Sequence, residues 1–257
     1  MSKNSFLRLA GTLLLLGTAP LAMAANHPAM IGQGAGSVAM QLHYPPREKV
    51  AKKEGIVQFY CEVGPEGKAG HISTLYGKGQ SRFGSAVEHA LYHGRFDPAM
   101  VDGKPATVML GGTVLFVESG GHPTIAVSLA TVESDKVATM SNYVQPQMID
   151  SDALFRRKIY ALRDKYNLRS TLNPGAVVIV HVDARGKVMS KKIKSEAPPN
   201  GGHGRLLLDV VDEEKFIPAQ SNGQPVAGDY ELAVDFGHLR NPDKAADVGT
   251  LIKRDSY

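Results

Sequence analysis

The chain has 257 residues, 43% hydrophobic and 21% charged, which suits two small domains better than one large one. Its formal charge of +4 contains no long basic run with interleaved aromatics, so a nucleic-acid-binding role is excluded. The single cysteine, Cys61, excludes an internal disulfide.

Residues 1–24 read as a secretory signal peptide. Lys3 and Arg8 make a basic start, Leu9 to Leu21 is mostly apolar, and Ala22-Met23-Ala24 is a small-x-small cleavage pattern. Cleavage after Ala24 lowers the charge to +2, because Lys3 and Arg8 leave and no acid does. An uncleaved anchor is the alternative, although a bilayer span wants about 20 apolar residues.

Residues 25–42 are rich in Gly and Ala without periodicity and read as a flexible leader. Tyr44-Pro45-Pro46 opens the ordered part, and Arg47 to Glu54 suits a short helix. Ile56 to Val63 alternates as a strand whose apolar face carries Val57, Phe59, Cys61 and Val63. On that face Cys61 is a buried, inert thiol. The Gly64-Pro65-Glu66-Gly67 turn makes a hairpin with a return strand over about 68–76. Phe83, Ala86, Val87, Ala90 and Leu91 form one helical stripe, which Gly94 closes. A strand over 107–118 carries Gly111-Gly112, which suggests a bulge or a close backbone approach.

Residues 119–149 read as a linker that Ser119-Gly120-Gly121 opens, with 124–132 as an extra strand or an extended connector. Ser151 or Asp152 caps a helix running to about Tyr166. A strand over 176–183, a turn at Asp183-Ala184-Arg185-Gly186 and a return strand over 187–195 follow. Lys191, Lys192 and Lys194 make the return strand a basic edge, which discourages unwanted pairing. A crowded helix is expected over about 206–214, a strand over 229–236 and a loose tail over 238–257.

The chain repeats itself. Arg95-Phe96-Asp97-Pro98-Ala99 with Asp102-Gly103-Lys104-Pro105 returns as Lys215-Phe216-Ile217-Pro218-Ala219 with Asn222-Gly223-Gln224-Pro225. The Pro stops helix, and Asp-Gly and Asn-Gly turn the chain. On turn chemistry alone these are structural corners. A repeat of this kind implies one supersecondary unit used twice.

His89 and His93 share a helix face, with His71 as a conceivable third ligand, but no zinc motif supports a metal site. No nucleophile elbow or carboxylate pair points to an enzyme. Catalytic residues, metal and cofactors are therefore assigned as none.

Tyr44-Pro45, Gly55, Gly67-Lys68, Ala86, Ala90, the Phe96-Asp97-Pro98-Ala99 corner and the Asp102-Gly103-Lys104-Pro105 turn together resemble the C-terminal domain of the TonB family. The resemblance covers about 43–118. A more divergent copy over about 150–237 matches at Gly186-Lys187 and the second corner, but lacks the Tyr-Pro opening. It implies an α+β fold: two copies of a small antiparallel sheet with helices packed on one face. It also implies a binding module that takes an extended protein or peptide partner, such as the end of an outer-membrane transporter, by adding it as a strand. By that resemblance the candidate sheet edges are Val114, Leu115, Phe116 and Val117, and Glu231, Leu232, Ala233 and Val234.

The chain departs from the family's energy transducers in having a cleavable signal and no Pro-rich spacer. The expectation is a periplasmic binding protein associated with outer-membrane transport. The alternatives are an inner-membrane-anchored transducer, which alone would contact the membrane, and a structural module that pairs with its own copy as a homodimer.

Overall fold

The computed structural model describes residues 26–137, 139–140, 142–168, 171, 173–237 and 239. The expected signal peptide and nearly all of the expected tail lie outside the described residues.

The first half contains β1 (Met30–Ile31), α1 (Val38–Gln41), α2 (Pro46–Val50), β2 (Gly55–Val63), β3 (Ala69–Tyr76), α3 (Ser81–His93), β4 (Phe96–Asp97), β5 (Ala99–Val101), β6 (Lys104–Ala106) and β7 (Val108–Ser119). Then come β8 (His122–Ser128), α4 (Ser134–Val137), β9 (Tyr143–Val144), β10 (Gln147–Met148) and α5 (Asp152–Arg163). The chain continues through β11 (Gly175–Val182), β12 (Val188–Ala197), α6 (His203–Val211), β13 (Phe216–Ile217), β14 (Ala219–Ser221), β15 (Gln224–Val226) and β16 (Gly228–Asp235). The fold is α+β, with antiparallel pairing between all of these strands.

β2 lies between β3 and β7, and α3 covers the face that carries Val57, Phe59, Cys61 and Val63. The expected stripe on α3 is right: Phe83, Val87, Ala90 and Leu91 are buried, and Ala86 is partly so. Tyr44 meets Phe83 and Phe116 edge-on, with ring centroids 5.7 and 5.4 Å away, so the Tyr-Pro opening seals one end of this core. Gly112 stands opposite Phe59, and a Cβ there would lie 2.5 Å from the Phe59 ring. The same Cβ would lie 2.7 Å from the Ser128 carbonyl of β8, so Gly112 marks a close backbone approach, one of the two readings of the pair. Gly94 does close α3, but in an extended rather than a left-handed conformation (φ −83°, ψ 170°). A Cβ there would come within 2.5 Å of the Val38 Cα, so the glycine admits α1 against α3.

β11 lies between β12 and β16, and α6 packs on the face bearing Ala176, Val178, Val180 and Val182. The crowding on α6 has a simple cause. The helix contacts β11 and β12 on one side and α5 on the other, so Leu206, Leu207, Val210 and Val211 are all buried. Ser151 caps α5, its Oγ accepting from the Leu154 N–H at 3.3 Å.

Two expectations about connecting segments are corrected. Residues 26–42 are held to the fold by main-chain bonds. His27 and Met100 exchange N–H and C=O at 2.9 and 2.8 Å, β1 pairs with β4, and Val38 N–H donates to the Arg95 carbonyl at 3.1 Å. Backbone pairing needs no hydrophobic period, so composition gave no sign of it. The stretch 119–149 is also no mere linker. Gly120 and Gly121 both have positive φ, 59° and 83°, which suits the tight turn of a hairpin. β7 therefore returns at once as β8, while β10 pairs with both β7 and β13.

Candidate partner-binding site

The two candidate edges differ. Val114, Leu115 and Phe116 pair with Val57, Ile56 and Gly55 on one side and with Val127, Ala126 and Ile125 on the other. Val117 pairs with Thr124. The expectation that Val114–Val117 form a sheet edge is therefore corrected: the chain's own β8 occupies that flank. The extra-strand reading of 124–132 is right, and what it lacked was the Gly120-Gly121 hairpin that lays this strand on β7.

Glu231, Leu232, Ala233 and Val234 pair with Ile179, Val178, Val177 and Ala176. In its sheet β16 is an outer strand, with β11 as its only ladder partner among the described residues. Leu232 points into the core at 3% exposure, whereas Glu231 and Ala233 lie on the alternate face with Asp229. That face also carries Val177, Ile179 and His181 from β11. The expectation that His181 points away from the core is correct, and its Nδ1 lies 2.7 Å from Asp229 Oδ1.

This face borders a cleft against the first sheet. One part is a cavity of about 440 Å³ where Val177, Ala233 and Val234 face Tyr60, Ser73 and Leu75. Burial, and then the charge of Glu231, holds the Tyr60 hydroxyl well above the ordinary tyrosine range. Lys194 reaches Glu231 Oε2 at 2.6 Å. Lys191 is tied to Asp212 and to the Leu208 carbonyl, so part of the basic edge on β12 is neutralised.

A buried charge cluster lies where β10 and β13 meet α5. Lys158 Nζ sits 2.9 Å from Asp150 Oδ2 and 2.7 Å from Glu214 Oε1, and the two acids are 4% and 1% exposed. Burial and the neighbouring Asp150 raise the Glu214 carboxyl to about 7, against the pull of Lys158. His71, considered as a third metal ligand, instead pairs with Asp152 at 3.2 Å. His89 and His93 stack with ring centroids 4.4 Å apart. Among the described residues no group of three His, Cys, Asp or Glu is placed to hold a metal. No helix among them is long and apolar enough to cross a membrane.

A hairpin and a returning strand, with a helix across one face and a Phe-x-Pro corner leading into the last strand, make a small α+β domain. Residues 40–117 match the family described as Gram-negative bacterial TonB protein C-terminal. The match covers less than half of the chain. No curated protein and no solved structure matches it.

Proposed function

We propose that this chain is an exported protein-binding module of the TonB C-terminal type, which captures an extended partner segment by strand addition along β16. The observation that carries this reading is the contrast between the edges. β7 is closed by β8, whereas Glu231, Leu232, Ala233 and Val234 are paired on one side only among the described residues. Main-chain pairing supplies affinity without a catalytic constellation. The family of residues 40–117 supports a place in the cell envelope and a partner of the outer-membrane transporter kind.

The reading extends to residues 150–237 as a second, divergent copy. Three likenesses support it. Ala99, Met100 and Val101 pair with Ala106, Pro105 and Lys104, as Ala219, Gln220 and Ser221 pair with Val226, Pro225 and Gln224. Asp102 and Gly103 have φ of 51° and 75°, and Asn222 and Gly223 have 52° and 75°. The strand orders β3-β2-β7 and β12-β11-β16 correspond.

The test is a titration of isotope-labelled protein with peptides copied from the N-terminal segments of outer-membrane transporters. Amide shifts running along 231–234 are expected. Shifts confined to other strands, or concentration-dependent dimers without peptide affinity, would remove the reading. In the same reading the protein is periplasmic, released by cleavage after Ala24. An intact mass from the native envelope checks this, since a full-length chain held in the inner membrane would instead mark an anchored transducer.

A further inference from the structure

The end of β16 fixes which of its main-chain groups face outward. The Phe236 N–H donates to the Pro174 carbonyl at 2.8 Å. From there the β11–β16 ladder runs without a register shift, with Gly175 opposite Asp235, Ala176 opposite Val234 and Val177 opposite Ala233. In an antiparallel ladder, directly opposed residues alternate between exchanging both main-chain bonds and exchanging none. Phe236 therefore makes Val234, Leu232 and Tyr230 the bonded positions. The N–H and C=O groups of Ala233 and Glu231 point away from β11. Among the described residues nothing else bonds the main chain of these two.

The same alternation sorts the side chains. Tyr230 and Leu232 are buried in the core, whereas Glu231 and Ala233 face the cleft. A residue added beside Ala233 shares its face, whichever way the new strand runs. Ala233 is the small side chain between Glu231 and Asp235 on that face, and it lines the cavity of about 440 Å³. Val177, its cross-strand partner, and Leu75 and Tyr60 of the first sheet give the cavity apolar walls. Leu75 is 50% exposed, a large apolar side chain that nothing in the chain covers among the described residues. Glu196 and Asp235 also line the cavity, so an acidic side chain entering it meets like charge.

We propose that a partner strand bonds β16 through the main-chain groups of Glu231 and Ala233 and seats one large apolar side chain in the cavity beside Ala233. Main-chain pairing gives the affinity, and this pocket selects which segment docks. The partner is an extended protein segment with an aliphatic or aromatic residue, and not an acid, at the position opposite Ala233. This rests on the reading of β16 as the docking strand and adds the side chain that the partner must carry.

The test uses the isotope-labelled full chain and three capped heptapeptides, Ser-Thr-Thr-X-Thr-Thr-Ser with X as Leu, Ala or Glu. In the free protein the Glu231 and Ala233 amides should exchange with solvent faster than those of Tyr230 and Leu232. The Leu peptide is expected to slow both and to bring its methyl groups against Leu75. It should bind at least about ten-fold more tightly than the Ala peptide, with the Glu peptide weakest. Leu75→Ser, at a half-exposed position, should shrink the preference for Leu, and an unchanged amide spectrum away from the site would show that the fold is intact. Equal affinity for the three peptides, with both amides slowed, would sink the pocket and leave strand docking on β16 standing. Contacts at Leu75 without slowing of Glu231 and Ala233 would sink the docking and the proposal with it. Slowing of Leu232 and Val234 in their place would overturn the bond phase. Absence of binding by all three peptides would overturn pocket and docking together.

Discussion

The Phe96 carbonyl oxygen lies 2.1 Å from where a Cβ on Gly67 would stand. The turn glycine also accepts the Phe96 N–H at 2.8 Å, so the hairpin turn and the corner are fastened together by their backbones. Gly186 stands in the same relation to the Phe216 carbonyl oxygen, at 2.2 Å. Both glycines have positive φ, 74° and 84°. Gly67→Ala and Gly186→Ala combine left-handed strain with a backbone clash that no rotamer relieves, and each should cost about 2–4 kcal/mol. Urea denaturation of the two variants checks this. A cost within about 0.5 kcal/mol, the range of ordinary surface changes, would mean that the corner moves freely.

Glu214 gives the protein a signed pH dependence. Its carboxyl is raised from an ordinary 4.5 to about 7 in the folded chain. Between those values the folded state holds the proton more firmly than the unfolded state does. This group's contribution to stability is therefore fully present below about pH 4.5 and is lost as pH rises towards 7. Glu214→Gln keeps an acceptor for Lys158 and removes the titration. Melting curves at about pH 6 and pH 8 should show a smaller drop in the variant than in the parent. An unchanged drop would mean that Glu214 does not titrate in this range.

Gly111 and Gly112 should differ in tolerance although they are neighbours. A Cβ on Gly112 would meet the Phe59 ring at 2.5 Å and the Ser128 carbonyl at 2.7 Å, one neighbour in the core and the other the backbone of β8. A Cβ on Gly111 would meet Thr131, Gln145 and Tyr60 side chains at 3.0 to 3.1 Å, which can shift. Gly112→Ala should cost about 1–3 kcal/mol by overpacking, and Gly111→Ala less. Denaturation midpoints of the pair decide the order.

Cys61 should behave as a clock for unfolding. It is buried in the first core, and burial together with Glu62 pushes its thiol well above the ordinary range. A disulfide reagent at mildly alkaline pH should label it at the rate of global opening. Prompt labelling of native protein would show that β2 opens locally.

The periodic elements were legible in the sequence because burial wrote them. Val57, Phe59, Cys61 and Val63 alternate, and Phe83, Val87, Ala90 and Leu91 recur at helical spacing. Val114 to Val117 is apolar whether its flank is open or paired, so the closed edge was legible only beyond it, in Gly120-Gly121 and the β-branched run from Thr124. The segment 26–42 stayed hidden for a related reason: its ties to Arg95 and Met100 are main-chain bonds, which leave no mark in side-chain pattern.

The hairpin of β7 and β8 also bears on how the chain folds. Val114-Leu115-Phe116-Val117 is an uncharged, β-prone run of the kind that stacks into cross-β assemblies when its flank is bare. Its guard is the next segment in the chain, joined by a two-glycine turn, so closing it needs only local contacts. Hairpins of this kind form in about 1–10 μs, well before distant strands must find their places. An aggregation-prone segment is thus sheltered early, by its immediate neighbour in the chain.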